Sequence, residues 1–380
     1  MAVNDSLDDS MASLRGKHVF VTGHTGFKGS WLVMLLHRLE AHVTGYSLAP
    51  PTTPSLFEAA RVRELVADHH EADIRDSARL AKDVAAARPD VVMHLAAQPL
   101  VRLSHRDPLE TFSTNVVGTA SVLDAVRGLN GPCSVIVVTS DKCYEPHDDG
   151  HPHDETDPMG GRDPYSASKG AAELVAASYR RSYFPPARLA EHGVQLATVR
   201  AGNVIGGGDW AEDRIVTDIV RHLAAGKPVP VRNPAAVRPW QHVLEPLSGY
   251  LTLAAAMLAE PGPRWCTGWN FGPAAGDDVT VSELAQIFID AWGAGSWQDM
   301  HDPRAPIETH VLRLAIDKAR STLPWQPRLT AQEAIHRTAA WFKAFAKDPA
   351  QARALCEADI AAFAQAVSGR LLSSTIQPSI

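Results

Sequence analysis

This chain contains few cysteines and carries no excess of basic residues. Each of these two features excludes some classes of protein. Four cysteines occur among 380 residues, at positions 133, 143, 266 and 356, and no two of them form a C-x-x-C pair. The sequence therefore predicts neither a zinc site nor a disulfide framework, and it favours a reducing cytoplasm. A formal net charge of -7 disfavours nucleic acid or an anionic membrane as a partner.

Long apolar runs and targeting signals are missing as well. No stretch is long enough to cross a bilayer, and residues 1–15 are polar and acidic, without the apolar core of a signal peptide. We predict that residues 1–15 form a disordered leader. The length exceeds that of a usual single domain, which predicts two lobes that share a cleft.

Strand-like and helix-like patterns alternate in the first two hundred residues. Predicted strands lie at 17–22, 41–46, 69–74, 91–95, 135–140 and 193–200, and predicted helices lie at 31–39, 78–87, 109–129 and 164–183. This alternation predicts an α/β fold with a Rossmann-type doubly wound parallel sheet.

The pattern changes from Gly206 onward, where short helices are separated by connections rich in proline and glycine. Residues 269–273 again resemble a strand and its turn, so we predict a smaller C-terminal substrate lobe that is interleaved with the sheet domain. The predicted domains are 1–15 as leader, 16–205 as mainly cofactor-binding, 206–345 as mainly substrate-binding, and 346–380 as a helical extension with a loose tail.

Three glycines, Gly23, Gly26 and Gly29, stand where the first strand passes into a helix. A G-x-x-G-x-x-G turn in this context predicts a dinucleotide at the helix N-terminus, and a turn that serves only packing is the weaker alternative. No acidic residue occupies 46–48 to hold the ribose, and no Arg or Lys lies between Tyr46 and Arg61 to bind a 2′-phosphate, so the choice between NAD and NADP stays open and NAD is favoured. Further predicted cofactor contacts are Thr25, Phe27, Lys28, Asp73, Ile74, Ala96, Ala97 and Gln98.

A polar cluster follows the buried run 135–138. Thr139-Ser140-Asp141-Lys142 supplies an acid and an amine, and ligands of open α/β sheets bind beyond the carboxyl ends of strands. Tyr165 and Lys169 lie one helical turn apart, so the ammonium can favour phenolate. This set suits hydride transfer combined with elimination, and a solvated Tyr–Lys pair is the alternative.

These motifs resemble the extended short-chain dehydrogenase/reductase family over roughly residues 16–342. The residues that support the resemblance lie at 22–31, 73–74, 94–98, 139–144, 161–169, 208–215, 232–234 and 238–243. Within the family, Asp141-Lys142 is similar to the branch of CDP-glucose 4,6-dehydratases, because related dehydratases usually have Asp-Glu there. Two departures are the segment 145–158, which lacks an expected aromatic stretch, and Thr217, which replaces an expected proline.

The resemblance implies conversion of CDP-D-glucose to CDP-4-dehydro-6-deoxy-D-glucose and water, with hydride moved from C4 to C6 through bound NAD. Tyr165 would take the 4-hydroxyl proton with help from Lys169, and Ser140 would hydrogen-bond the ketone. Asp141 would be the acid and Lys142 the C5 base, unless Lys142 only pairs with Asp141 or with a phosphate. Alternatives are a dehydratase or 4-epimerase for another nucleotide sugar, or a non-catalytic dinucleotide sensor.

Substrate and partner contacts complete the expectations. Guanidinium groups match phosphate oxygens, so the nucleotide-sugar diphosphate is expected at three arginines, with an amide and a carboxylate lining the same pocket. These residues are Arg214, Arg232, Arg238, Asn203 and Asp209. The His- and Asp-rich segment 147–154 is interpreted as a solvated loop, a candidate lid, rather than a metal site. The resemblance also implies a homodimer in which helices 109–129 and 164–183 pair across a two-fold axis.

Overall fold

Seven parallel strands form the central sheet of the computed structural model, which describes residues 7–147, 150–301 and 312–373. In chain order the strands are β1 (His18–Thr22), β2 (His42–Ser47), β3 (Asp68–Glu71), β4 (Val91–His94), β5 (Cys133–Val138), β6 (Val194–Ala201), β7 (Val204–Ile205), β8 (Val229–Val231), β9 (Val237–Arg238), β10 (Gln241–His242), β11 (Gly268–Phe271), β12 (Val279–Thr280) and β13 (Trp297–Asp299). The sheet order is β11-β6-β5-β4-β1-β2-β3, and the other strands pair as β7 with β10, β8 with β13 and β9 with β12.

Helices cover both faces of this sheet. They are α1 (Leu7–Ser10), α2 (Phe27–Arg38), α3 (Leu56–Ala59), α4 (Ser77–Ala87), α5 (Val101–Arg106), α6 (Pro108–Phe112), α7 (Gly118–Arg127), α8 (Pro164–Ser182), α9 (Leu189–His192), α10 (Ile215–Ala224), α11 (Leu244–Ala259), α12 (Val281–Trp292), α13 (Asp317–Thr322), α14 (Ala331–Lys347) and α15 (Ala352–Ser373). In the described part of the chain, none of them combines the length and the apolar character needed to cross a membrane.

The sheet is buried on both sides because successive side chains of a strand point to opposite faces. In β1, Val19 and Val21 belong to one hydrophobic cluster and Phe20 belongs to the other. Strand β1 pairs with β2 on one side and with β4 on the other, so the chain order reverses there. Ligands of doubly wound sheets bind at this reversal, beyond the carboxyl ends of the strands. The predicted α/β fold is confirmed.

The strand predicted near 269–273 is present as β11. Strand β11 pairs in parallel with β6 at the edge of the central sheet. The expectation of only short helices after Gly206 is wrong, because α11, α12 and α14 each span at least 12 residues. Helix α11 is apolar on nearly all sides, so it shows little helical periodicity in the sequence.

The leader is also more ordered than its composition predicts. Residues 1–6 lie outside the described part of the chain, but Met11 and Leu14 are buried, and the Ser13 hydroxyl donates a hydrogen bond to the Ala255 carbonyl in α11 at 2.8 Å. Because residues 1–15 are polar on average, their composition does not reveal that Met11 and Leu14 are buried. The prediction of disorder is therefore wrong for residues 7–15.

Candidate active site

The three motif glycines have separate structural reasons. Gly23 has a φ of +79°, and a Cβ there would lie 2.6 Å from the Ala96 nitrogen, while a Cβ on Gly29 would overlap the Gly23 carbonyl oxygen. Gly26 is the N-cap of α2, and a Cβ there would meet only the Gly23 oxygen at 3.4 Å, so its exposed side is open. A tight turn, a close helix–strand contact and an accessible helix start fit a bound pyrophosphate.

The residues around this turn are held by hydroxyl groups. Thr25 Oγ1 donates to the Leu48 carbonyl at 2.9 Å and lies 2.8 Å from Ser47 Oγ, at the end of β2 where a ribose-binding acid is missing. Phe27 packs near Gly206. Hydroxyl and backbone groups therefore occupy the place where an acid would bind the ribose of NAD or a cation would bind the 2′-phosphate of NADP.

The residues after β3 have structural partners. Asp73 forms an ion pair with Arg75 at 2.6 Å, and its carbonyl accepts a hydrogen bond from the buried Tyr46 hydroxyl at 3.1 Å. Ile74 is buried against Gly118. The Arg75 guanidinium holds the pKa of Asp73 below its usual value. The Asp73 carboxylate therefore forms an ion pair with Arg75. Its contact with the adenine stays a prediction.

The segment after β4, which includes Ala97, is fixed by an asparagine that sequence reasoning missed. Asn115 Oδ1 accepts the Gln98 backbone N–H at 2.8 Å, and Asn115 Nδ2 donates to the Gln98 carbonyl at 3.1 Å and to Ser168 Oγ at 2.8 Å. Ala96 donates its backbone N–H to Thr22 Oγ1 at 3.2 Å. Asn115 lies in a wide helical turn, 113–117, between α6 and α7, and such turns occur often at functional sites.

Ser140 and Asp141 form the polar end of β5. Ser140 Oγ caps the short helical turn Asp141–Cys143 by accepting the Lys142 N–H at 3.2 Å, and it donates to Asp141 Oδ1 at 3.0 Å. The other carboxyl oxygen, Oδ2, is buried and has no hydrogen-bond partner among the described residues. Burial raises the pKa of Asp141, so this carboxyl can keep a proton better than an ordinary aspartate.

Tyr165 and Lys169 lie on the first turns of α8, which begins after the Asp163 cap. The Lys169 ammonium donates to the Val138 carbonyl at 3.4 Å, and burial lowers its pKa to about 8. Burial also raises the pKa of Tyr165, and a hydrogen bond with Ser140 only partly opposes this rise. The protein groups alone therefore shift Tyr165 away from phenolate, which is opposite to the direction that the Tyr–Lys spacing predicts.

Lys28, predicted as a cofactor contact, also interacts electrostatically with ionisable residues outside the glycine turn. Burial, followed by the charges of Lys169 and Arg214, lowers the pKa of Lys28 to about 7, and the carboxylates of Asp141 and Asp209 oppose this shift. The glycine turn, α8, the end of β5 and the loop before α10 thus bring ionisable groups together.

Two of the three predicted arginines face this cluster. Arg214 lowers the pKa of Asp209, and Arg238 lowers that of Asp141, although burial raises both pKa values overall. Arg232 is instead half-exposed and lies 3.4 Å from Asp218. The structure therefore brings the charges of Arg214 and Arg238 near Asp209 and Asp141, and it leaves Arg232 in a separate pair with Asp218.

The remaining predicted pocket residues border the same region. The Asn203 carbonyl accepts the Gln241 N–H at 3.0 Å. Asp209 is buried, and the hydroxyl of Thr217 donates to its carbonyl at 3.0 Å, a bond that the proline expected at position 217 could not make. A Cβ on Gly202 would lie 3.3 Å from Asp141 Oδ2, so the chain after β6 passes directly over this carboxyl.

Behind the site lies a buried ion pair that sequence reasoning also missed. Arg200 in β6 binds Glu173 in α8 with two bonds of 2.8 Å, and the hydroxyls of Thr139 and Thr198 donate to the same carboxylate at 2.6 and 2.7 Å. Arg200 also donates to the Tyr144 hydroxyl at 2.6 Å. The signal in the sequence was a charged residue, Arg200, within the strand-like run 194–201.

The histidine-rich segment is less solvated than expected. His153 is buried and stacks on the Tyr144 ring at 4.7 Å, and its Nδ1 lies 2.9 Å from Asp157 Oδ2. His147, His153 and Asp157 place one ligand atom each within 4.8 Å of one another. Asp148 and Asp149 lie outside the described residues. The sequence interpretation did not include Asp157 in this group.

Known proteins share this arrangement of motifs. A family model described as GDP-mannose 4,6 dehydratase matches residues 20–338. The chain is 48% identical over 331 residues to the CDP-glucose 4,6-dehydratase of Salmonella typhimurium, covering 87% of this chain and 92% of that protein. It is 32% identical over 336 residues to a dTDP-glucose 4,6-dehydratase of Streptomyces antibioticus, covering 86% of this chain and 92% of that protein.

A solved structure supports the same grouping. The UDP-glucose 4-epimerase of Thermus thermophilus, in complex with NAD, superposes with a TM-score of 0.69 at 26% identity, covering 86% of this chain and 99% of that chain. The resemblance inferred from the sequence motifs is confirmed. The chain belongs to the GDP-mannose 4,6-dehydratase family of the extended short-chain dehydrogenases/reductases.

Proposed function

We propose that the chain is an NAD-dependent nucleotide-sugar 4,6-dehydratase that converts CDP-D-glucose to CDP-4-dehydro-6-deoxy-D-glucose and water. The central observation is that a buried carboxyl, Asp141, lies beside Ser140 and Tyr165 at the carboxyl end of β5. An acid next to an oxidation site is needed for elimination and is not needed for epimerisation. The 48% identity to a CDP-glucose 4,6-dehydratase supports both the reaction and the nucleotide.

The glycine turn is suited to hold NAD. Gly26 opens the start of α2 to a pyrophosphate, and Gly23 allows the turn to approach the segment after β4 closely. When bound there, NAD would supply the acceptor for the C4 hydride and, in its reduced form, the hydride for C6. Lys28 follows directly in α2 and places its side chain between this turn and the catalytic groups.

The first step needs a base for the 4-hydroxyl, and we assign this role to Tyr165. Because burial raises the pKa of Tyr165, the phenolate needs nearby positive charge; the Arg214 guanidinium opposes the rise, and we assign the same role to Lys169 on the next helical turn. Lys169 has a pKa lowered to about 8, so it is still largely protonated at neutral pH. Ser140 is placed to donate a hydrogen bond to the ketone that forms at C4.

The second step removes water across C5 and C6. Asp141 Oδ2 lacks a protein partner among the described residues, so it is the oxygen that would hold the proton for the departing 6-hydroxyl. Lys142 follows on the same turn and is assigned as the base for C5. Asp141 thereby transfers one proton to the leaving oxygen and Lys142 takes the C5 proton as the C5–H and C6–O bonds break, and C5 would be reprotonated once hydride has reached C6.

The diphosphate is assigned to Arg214 and Arg238, whose charges already interact with the site carboxyls. Asn203 and Asp209 would line the same pocket. Arg232 would join them only by leaving its pair with Asp218, which is weak because the arginine is half-exposed.

Product analysis tests the proposed function. Purified protein is incubated with CDP-, dTDP- and GDP-hexoses, and the base-induced absorbance of a 4-keto-6-deoxy sugar is measured. We expect this product from CDP-glucose. A C4 epimer without a ketone would instead show an epimerase, and binding of dinucleotide without conversion of any of these sugars would show a sensor.

We also propose that the protein is a homodimer in a reducing cytoplasm. Large apolar side chains are exposed on the two helical segments expected to pair, namely Leu109, Phe112, Val117, Leu174 and Tyr183 at the end of α8. Such clustering favours a protein interface. All four cysteines are free and buried, which agrees with a compartment that does not form disulfides.

A further inference from the structure

A tyrosine outside every motif considered so far reaches the active site from α11. The Tyr250 side chain is fully buried, and its hydroxyl has no hydrogen-bond partner among the described residues. Its ring packs edge-on against Phe271 at 5.5 Å between centroids. A buried hydroxyl without a partner destabilises the folded protein, so a group that satisfies it is expected.

The surroundings of Tyr250 indicate where that group binds. The two ionisable residues that interact electrostatically with its hydroxyl are Asp141 and Tyr165, and both raise its pKa in addition to burial. The Lys28 ammonium lies 5.8 Å from the centre of the Tyr250 ring. Tyr250 is therefore adjacent to the cluster formed by the glycine turn, β5 and α8.

Other polar groups on α11 are paired within the protein, although the hydroxyl of Thr252 is also buried without a partner among the described residues. Glu245 accepts the backbone N–H groups of Arg328 and Leu329, and Ser248 donates to the Glu245 carbonyl at 2.8 Å. The partners of these groups are protein atoms. The Tyr250 hydroxyl differs from all of these groups because it interacts electrostatically with Asp141, whose Oδ2 is also unpaired among the described residues.

We propose that Tyr250 contacts the substrate and holds its 6-hydroxyl group opposite Asp141. This inference rests on the proposed dehydratase function and adds a residue to it. Two unpaired buried polar atoms in one region fit one small hydroxyl between them, and the leaving group of the reaction is such a hydroxyl. Asp141 donates its proton to the 6-oxygen, the C6–O bond breaks and water departs, while Tyr250 keeps its proton and donates a hydrogen bond to the same oxygen.

The test compares Tyr250→Phe with Tyr144→Phe. Both changes remove one buried hydroxyl, but the Tyr144 hydroxyl is bonded to Asn270 and Arg200 behind the site. In a single turnover with CDP-glucose, Tyr250→Phe is expected to form reduced nicotinamide at nearly the normal rate and to slow product formation about tenfold. Tyr144→Phe is expected to lower thermal stability without changing the ratio of these two rates.

A second measurement does not need turnover. Protein loaded with NADH, which cannot oxidise the sugar, is titrated calorimetrically with CDP-glucose and with CDP-6-deoxyglucose. The wild type should prefer the 6-hydroxylated sugar about tenfold, and Tyr250→Phe should lose this preference. The proposal would be overturned if Tyr250→Phe kept the wild-type preference for the 6-hydroxylated sugar and the ratio of the two rates did not change. Failure of the wild type to convert CDP-glucose would count against the proposed function, and the comparison of the two sugars would still decide the role of Tyr250.

Discussion

At the scale of single residues, two amines compete for the role of C5 base. An amine accepts a proton only when it is neutral. Burial and neighbouring cations lower the pKa of Lys28 to about 7, so half of its side chains are neutral at that pH. Lys142 is half-buried on the turn after Ser140, and its charge interacts with Asp141. The sequence points to Lys142, whereas the electrostatics make Lys28 a real competitor.

Replacing Lys142 with Met is expected to preserve C4 oxidation and to reduce elimination at least about 100-fold, the usual minimum contribution of a general base. Reduced nicotinamide and 4-keto-6-deoxy product are measured in the same single turnover. Lys28→Met is the matched variant. If Lys142→Met turns over normally and Lys28→Met stops elimination, the base is Lys28, and the wild-type elimination rate should then rise as the pH passes through about 7.

The glycine turn offers a second test at single residues. Gly29→Ala is expected to destabilise the protein by about 1–3 kcal/mol, because its Cβ would overlap the backbone oxygen of Gly23 and the helix cannot move away freely. Gly26→Ala has room for its methyl group, so the fold should persist while NAD binds more weakly. Urea unfolding and calorimetric NAD titration separate the two effects. Equal loss of stability in both variants would contradict the separate roles.

At the scale of elements, the Glu173–Arg200 pair joins α8 to β6 directly behind the catalytic strand end. Arg200→Met should lower the free energy of unfolding by about 3–5 kcal/mol, because it leaves Glu173 buried without its cation. The double variant Glu173→Leu, Arg200→Met should recover much of that loss. Urea unfolding of the four proteins measures the coupling, and additive losses would mean that the pair stabilises the fold only through separate contacts.

Elements with local signals could be predicted from the sequence, and contacts between distant elements could not. The first six sheet strands and the turn at Gly23 were predictable because their signals, apolar periodicity and glycine spacing, are local. The pairing of Arg200 with Glu173 and the approach of Tyr250 to Asp141 depend on how distant elements pack. Helix α11 lacks an amphipathic pattern because it is buried on nearly every side. Neither the helix nor the position of Tyr250 could therefore be predicted from the sequence.

At the scale of the whole molecule, the helices that carry the site also carry the exposed apolar surface. Leu174 lies on α8, two turns after Tyr165, and Leu109 lies on α6, which leads into the turn containing Asn115. Leu109 is 81% exposed and Leu174 is 61% exposed. An interface at these helices would restrain the elements that hold Tyr165, Lys169 and the segment after β4.

If the protein is the homodimer proposed above, changing Leu174 to Glu should convert it to a monomer, because a charge placed in an apolar interface loses its solvation without a partner. Leu48→Glu is the matched control, since Leu48 is 56% exposed but lies after β2, away from these helices. Sedimentation equilibrium should give a monomer for the first variant and a dimer for the second. A dimer in both would place the interface elsewhere.

If the interface also restrains α8, the monomer should oxidise C4 more slowly while its NAD affinity, set by the glycine turn, stays close to normal.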